Sequence, residues 1–210
     1  MPAFDRSLLP PDPDLSFELA LWGAGIPLVA GVDEAGRGAL AGPVSAAAVI
    51  LPPDQKMARI LKGVRDSKQM TPLQRQAARE LILLNTSAWG VGFASALEID
   101  QMGILPATRL AACRALEAMS LTPLHILLDY LFLPEVPIPQ TALTKGDCRC
   151  LSIAAASVLA KTSRDALMRE LDITYPGYGF SLHKGYGTAA HRDAIRHLGV
   201  SQIHRTSFAL

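Results

Sequence analysis

The feature that most constrains this chain is a pair of short apolar runs on either side of a glycine-punctuated turn. LVAGVDE (28–34) ends in two acids, GRGALAG (36–42) carries three glycines, and PVSAAAVIL (43–51) runs until Pro52-Pro53 stops it. Two such runs joined by a glycine-rich segment read as a β-hairpin. A competing reading is a dinucleotide fingerprint, because Gly36-Arg37-Gly38-Ala39-Leu40-Ala41 satisfies G-x-G-x-x-A and Asp54 lies at about the expected distance. That fingerprint must open a helix, whereas Gly42-Pro43 interrupt the turn and the residues that follow look like a strand.

Downstream of the hairpin, helix and strand signals alternate. Thr71-Pro72-Leu73-Gln74 supplies an N-cap, a proline at the first helical position and a capping-box glutamine, which predicts a helix to about Leu84. WGVGFASALEI (89–99) reads as a strand. Ile104, Leu105, Thr108, Ala111, Ala112, Ala115 and Met119 recur at helical spacing and predict one helix over 99–119. HILLDY (125–130) is a short strand ending in an acid, LFLPEVPIP (131–139) has too many prolines for regular structure, and TALTKGD (141–147) is a short strand or loop. Residues 152–171 form an alanine-rich helix able to pack close to a sheet, and Thr188 caps a last helix to about Leu198. This order predicts an α/β fold, a mixed central sheet with helices against it. Residues 1–27 read as a lead-in arm with one helical turn near 15–22, residues 28–172 as the core, and residues 173–210 as a small C-terminal helical segment.

At 210 residues, half of them apolar, the chain is long enough for one well-buried domain, and its composition excludes global disorder. The longest apolar stretch, 39–53, is broken by Gly42, Pro43 and Ser45 and is too short to span a bilayer, so no membrane association is expected. The acidic, proline-bearing N-terminus does not resemble a secretion signal, and a cytoplasmic location is the expectation. Cys113, Cys148 and Cys150 are an odd number without zinc-ligand spacing and read as incidental thiols.

A net charge of +1 provides no bulk field for a polyanionic partner. The charge is uneven, however: residues 1–60 hold seven acids against four bases, whereas residues 177–210 hold four bases, one acid and four of the five histidines. The C-terminal segment is therefore the place to look for phosphate contacts. The bland alternative is a solvated helix face, which charge alone favours. A surface role is expected for His183 and His191, and loop packing for Tyr175, Tyr178 and Phe180.

Acids recur at the ends of apolar runs: Asp33 and Glu34, Asp129, and Asp147 after Lys145-Gly146. Strand-end acids from separate segments can converge at one sheet edge, where their mutual repulsion calls for a cation. All-oxygen ligands select Mg²⁺ or Mn²⁺, and four carboxylates can hold two such ions for phosphoryl transfer. The alternative is that each faces water as an ordinary strand-end acid. Neighbouring residues on a regular strand point to opposite faces, so Asp33 and Glu34 share a site only if the strand ends or twists, which Gly36 and Gly38 allow.

Taken together, GVDEAGRGALAGPV (31–44), DSK (66–68), EID (98–100), LLD (127–129), KGD (145–147), SIAAASVLAKTSRD (152–165), YPGYGF, HKGYGT (183–188) and IHRTSF (203–208) resemble the ribonuclease HII family, the type 2 ribonuclease H, over nearly all of 28–208. The resemblance implies a ribonuclease H-like fold and a two-metal endonuclease. Its substrates would be RNA/DNA hybrids and single ribonucleotides embedded in duplex DNA, cut on the 5′ side to leave 3′-hydroxyl and 5′-phosphate ends. It implies Asp33, Glu34, Asp129 and Asp147 as catalytic metal ligands for Mn²⁺ or Mg²⁺, with two ions when substrate is bound. Gly36, Arg37, Gly38 and Tyr186 match the elements that recognise the ribonucleotide sugar, and Lys68 would lie near backbone phosphate. A monomer is expected. Tyr130-Leu131 after Asp129, and Cys148 after Asp147, depart from the family pattern; Asp165 is a rival fourth ligand, read here as helix-borne support.

Two further functions compete. The type 3 enzyme shares the core but usually carries an added N-terminal domain, and only 32 residues precede Asp33. A nucleic-acid-binding module without catalysis would be expected to lack a carboxylate, yet all four are present.

Overall fold

The computed structural model describes residues 9–209. In chain order these form α1 (Ser16–Gly23), β1 (Val29–Ala35), β2 (Val44–Ile50), α2 (Met57–Ile60), α3 (Pro72–Asn85), β3 (Ala88–Ala94), α4 (Ala96–Met102), α5 (Ile104–Glu117), β4 (His125–Asp129), β5 (Gln140–Leu143), α6 (Leu151–Thr174), α7 (Phe180–His183) and α8 (Ala189–Leu198). Short 3₁₀ turns at Ser67–Gln69 and Gly146–Cys148 lie between them.

The strands form one sheet in the order β3-β2-β1-β4-β5. β1 pairs antiparallel with β2, and β2 with β3, while β1–β4 and β4–β5 are parallel. The mixed sheet is the one expected. Because the glycine turn leads directly into β2, the dinucleotide fingerprint has no helix to open, and that reading is excluded.

β2 is buried along its whole length because helices cover both sheet faces. Ala47, Val49 and Leu51 pack on α6 and on Ala78 and Ile82 of α3. Val44, Ala46 and Ala48 point the other way, to Ala107, Ala111, Ala112 and Ala115 of α5. This two-residue alternation in a continuous apolar run is what a strand inside a three-layer sandwich requires. Small residues let the layers approach closely. A Cβ on Gly31 of β1 would lie 2.2 Å from the backbone carbon of Ser152, so β1 and α6 come together only with glycine there.

The structure corrects three local expectations. The strand at 89–99 ends at Ala94, because Ser95 and Glu98 form a reciprocal capping box that starts α4. The single helix over 99–119 is two, divided at Gly103, whose positive φ of 84° turns the chain. The lone turn of the N-terminal arm is the eight-residue α1, and it is anchored: Leu15 enters the core and Glu18 is fully buried. The Glu18 carboxylate accepts from Ser152 N–H at 2.7 Å and from the Cys150 thiol at 3.1 Å, capping the N-terminus of α6. The helices expected from Thr71, over 152–171 and from Thr188 stand, with the capping box at Thr71–Gln74 and the Thr188 side chain accepting from His191 N–H, while the short α2 and α7 were not expected.

Candidate active site

The parallel pairing of β1 and β4 brings the strand-end acids together. Val32 and Leu128 are the last partners in register, and one residue further along each strand come Asp33 and Asp129. The third segment arrives through a turn: Asp129 Oδ1 accepts from Gly146 N–H at 2.8 Å, which seats Asp147 beside the end of β4. Glu34 is the exception to the expected geometry. β1 continues through Ala35 rather than breaking at Glu34, so Asp33 is buried while Glu34 turns outward to Arg37, 3.1 Å away. Its charge nonetheless reaches both Asp33 and Asp129.

The electrostatics are those of an anion cluster short of cations. Burial, followed by the charges of Glu34, Asp129 and Asp147, raises Asp33 well above the ordinary carboxylate range. Burial and Asp147 raise Asp129 to about 6. Asp33 Oδ2 and Asp147 Oδ1 are buried without a hydrogen-bond partner among the described residues. Buried carboxylate oxygens are rarely left unpaired unless something absent from the protein chain binds them. Four carboxylates with two orphaned oxygens are the donor set a hard divalent cation takes, so the residues present fit Mg²⁺ or Mn²⁺.

Lys68 faces the same cluster. Burial works to lower its pKa, but Asp33, Asp66, Asp147 and Glu34 together hold it above the ordinary value. Asp66, which sequence reasoning missed, caps the 67–69 turn through Lys68 N–H, and one of its carboxylate oxygens lies with an Asp147 oxygen and the Cys148 Sγ, all within 4.8 Å of one another. The thiol of Cys148 is correspondingly pushed up to about 11, by burial first and then by Asp147. Asp165, the rival ligand, is instead paired with Lys161 at 2.7 Å.

Beside the acids opens a cavity of about 440 Å³ lined by Glu34, Gly36, Arg37, Gly38, Lys68, Lys161 and Tyr186 among others. The Gly36-Arg37-Gly38 turn and the Tyr186 ring therefore share one space with Glu34, the neighbour of Asp33 on β1. Gly36 has a φ of 92°, and a Cβ there would lie 2.0 Å from Arg164 Nε. The Tyr186 ring sits between two cations, Lys161 Nζ at 5.7 Å and Arg164 Cζ at 5.5 Å from its centroid.

These observations meet an independent one. The sequence profile of ribonuclease HII matches residues 30–210. The chain belongs to the ribonuclease HII family. A ribonuclease HII from Dehalococcoides mccartyi strain 195 is 49% identical over 94% of this chain and 93% of its own. Among solved structures, a ribonuclease H2 from Pyrococcus horikoshii OT3 superposes with a TM-score of 0.69 at 26% identity, covering 86% of this chain and 93% of that one. Bst-RNase HIII in complex with Mn²⁺ superposes at 0.67 and 20% identity over 87% and 67%, a likeness of fold. As a ribonuclease HII family member the chain is a ribonuclease H hydrolase that acts on the RNA of RNA/DNA hybrids.

For this ribonuclease HII family member, the residues that sequence reasoning missed are buried polar groups behind the site. Arg164 and Arg205 are both fully buried and spend their donors on backbone carbonyls. Arg164 serves Ala41, Pro43 and Lys184; Arg205 serves Gly36, Arg37 and Gly42. Their only sequence signal was their place inside the ordered motifs SRD (163–165) and HRT (204–206). The surface role expected for His191 is wrong. It is fully buried, stacked on His183 at 4.3 Å and held by Phe180 edge-on, because α7 and the loop after Leu198 close over it.

Proposed function

We propose that this chain incises the strand 5′ to a ribonucleotide, in hybrids and at single ribonucleotides embedded in duplex DNA, leaving 3′-hydroxyl and 5′-phosphate ends. The observation that carries the reading is that Glu34 lines the same cavity as the GRG turn, Lys68 and Tyr186, one residue along β1 from the buried, underpartnered Asp33. Asp33, Glu34, Asp129 and Asp147 would hold two divalent cations, Mg²⁺ or Mn²⁺. When bound, such ions supply positive charge at the attacking and leaving oxygens of an in-line displacement. A water oxygen bonds to phosphorus, the bond from phosphorus to the preceding 3′-oxygen breaks, and that oxygen leaves with a proton.

The chain's own groups do the positioning. Gly36 lets the turn close against Arg164, Gly38, where a Cβ would meet open space, lets backbone approach the sugar, and the Tyr186 hydroxyl offers a donor and acceptor for a 2′-hydroxyl. Arg37, held by Glu34, and Lys68 present cations toward the backbone phosphates.

Cleavage of a duplex with one ribonucleotide, with and without Mg²⁺ or Mn²⁺ and with mapped product ends, tests the whole reading. Metal-dependent cutting 5′ to the ribonucleotide is the expected outcome. Cutting in excess chelator, or 3′ to the ribonucleotide, overturns it.

A further inference from the structure

His204 and Arg205 are adjacent in the C-terminal loop, yet they reach the two halves of the cavity by separate routes. Arg205 donates through Nη2 to Gly36 O at 2.7 Å, through Nη1 to Arg37 O at 2.8 Å and through Nε to Gly42 O at 3.0 Å. Its own backbone N–H bonds to Leu40 O at 2.8 Å. One guanidinium thus holds Gly36 and Arg37 of the GRG turn together with Gly42, the far end of the GRGALAG segment (36–42). Among the described residues it makes no ion pair, and burial lowers its pKa to about 9. A buried cation whose hydrogen bonds all go to carbonyls, with only the Phe208 ring 5.2 Å from its Cζ besides, is an expensive way to stabilise a loop, so the gain must lie in the geometry it enforces.

His204 acts on Tyr186 through a chain of imidazoles whose tautomers follow from their partners. Ser201 N–H can only donate, so His204 Nδ1 accepts at 2.8 Å and its Nε2 carries the proton. Tyr186 O can only accept, so His191 Nδ1 carries its proton and donates at 3.0 Å. The remaining pair, His204 Nε2–H to His191 Nε2 at 3.1 Å, closes the relay with one donor and one acceptor. Both rings are buried, and Tyr178 and Phe180 pack against His204.

We infer that His204 and Arg205 are positioning residues that fix the GRG turn and Tyr186 at one spacing, and thereby set discrimination for a single 2′-hydroxyl. This rests on the reading of those two elements as the sugar-recognising pair. A lone ribonucleotide presents one hydroxyl in one register, so a displaced reader misses it. A hybrid presents a hydroxyl at every step, and a displaced reader still meets one.

The test compares turnover at a single embedded ribonucleotide with turnover on a continuous hybrid, each ratio taken on one preparation so that any unfolded fraction cancels. Arg205→Lys keeps the charge but not the three-carbonyl fork, and His204→Phe keeps the ring contacts but not the relay. Each should lower the ratio by about tenfold. Adding His204→Phe to Tyr186→Ala should cause no further fall, because His204 works through Tyr186, whereas adding Arg205→Lys should. An unchanged ratio in both single variants, with Tyr186→Ala still lowering it, overturns the positioning role and leaves sugar reading intact. An unchanged ratio in Tyr186→Ala overturns the sugar-reading assignment itself, and a further fall in the Tyr186→Ala, His204→Phe double variant overturns the relay.

Discussion

The Asp129 carboxylate and the Gly146 backbone N–H form a 2.8 Å hydrogen bond that ties the tip of β4 to the turn bearing Asp147. Two acids eighteen residues apart in sequence are thereby held as neighbours in a site whose net charge opposes their closeness. The protein accepts that repulsion where a cation would remove it.

Replacing one acid of the cluster should therefore separate activity from stability. Asp33→Asn is expected to reduce cleavage on the order of a thousandfold while raising the melting temperature of the metal-free protein, since burial and three like charges disfavour its anion. Mg²⁺ or Mn²⁺ should raise the melting temperature of the parent and not of the variant. Equal metal-induced shifts in both proteins would count against Asp33 as a ligand.

Acid should loosen the C-terminal lobe. Burial lowers His191 from its ordinary value to about 4, only partly offset by its bond to Tyr186 O, with His183 and His204 adding to the depression. The unfolded state thus takes up a proton near pH 6.5 that the folded state resists until about pH 4. Stability is full above the upper value and falls as pH drops between the two. Thermal melts across this window should show the decline, and His191→Gln, which keeps a donor for Tyr186 O, should flatten it.

Glu18→Ala should cost about 2 kcal/mol, because it leaves the Ser152 N–H at the buried start of α6 without its acceptor. Urea unfolding would measure this. Turnover per folded molecule should be unchanged, since α1 contributes no residue to the cavity.

Arg192 and Arg196 lie on the basic side of α8, where Arg196 pairs with the exposed Asp193. The double variant Arg192→Ala, Arg196→Ala should weaken binding to hybrid and plain duplex alike, and flatten the dependence of log Kd on log salt by about one unit per cation lost. Identical slopes for parent and variant would remove α8 from the phosphate-contacting surface.

Much of this architecture was legible before any coordinates. The hairpin, the Thr71 capping box, the proline-rich break at 131–139 and the Thr188 cap are local signals, each decided by residues within a few positions of one another. The four acids were legible because each ends an apolar run, and the ordered motifs around them identified the family. Local signals also misled: the apolar run at 89–99 concealed the Ser95–Glu98 box, and helical spacing carried the eye across Gly103.

What only the tertiary structure decided is which polar groups are buried and against what. Parallel pairing of β1 with β4 places Asp33 beside Asp129, although no periodicity in either segment encodes that register. Arg205, His191 and His204 look in sequence like surface groups of a basic tail, and Arg164 like an exposed charge on a long helix. Their roles come from long-range contacts with backbone carbonyls and with one another, groups that every residue possesses and that carry no side-chain signature. Sequence by itself determined the locally signalled elements and the acids that follow their apolar runs; packing determined which of those acids lose their water, and which cations are buried to hold the site in shape.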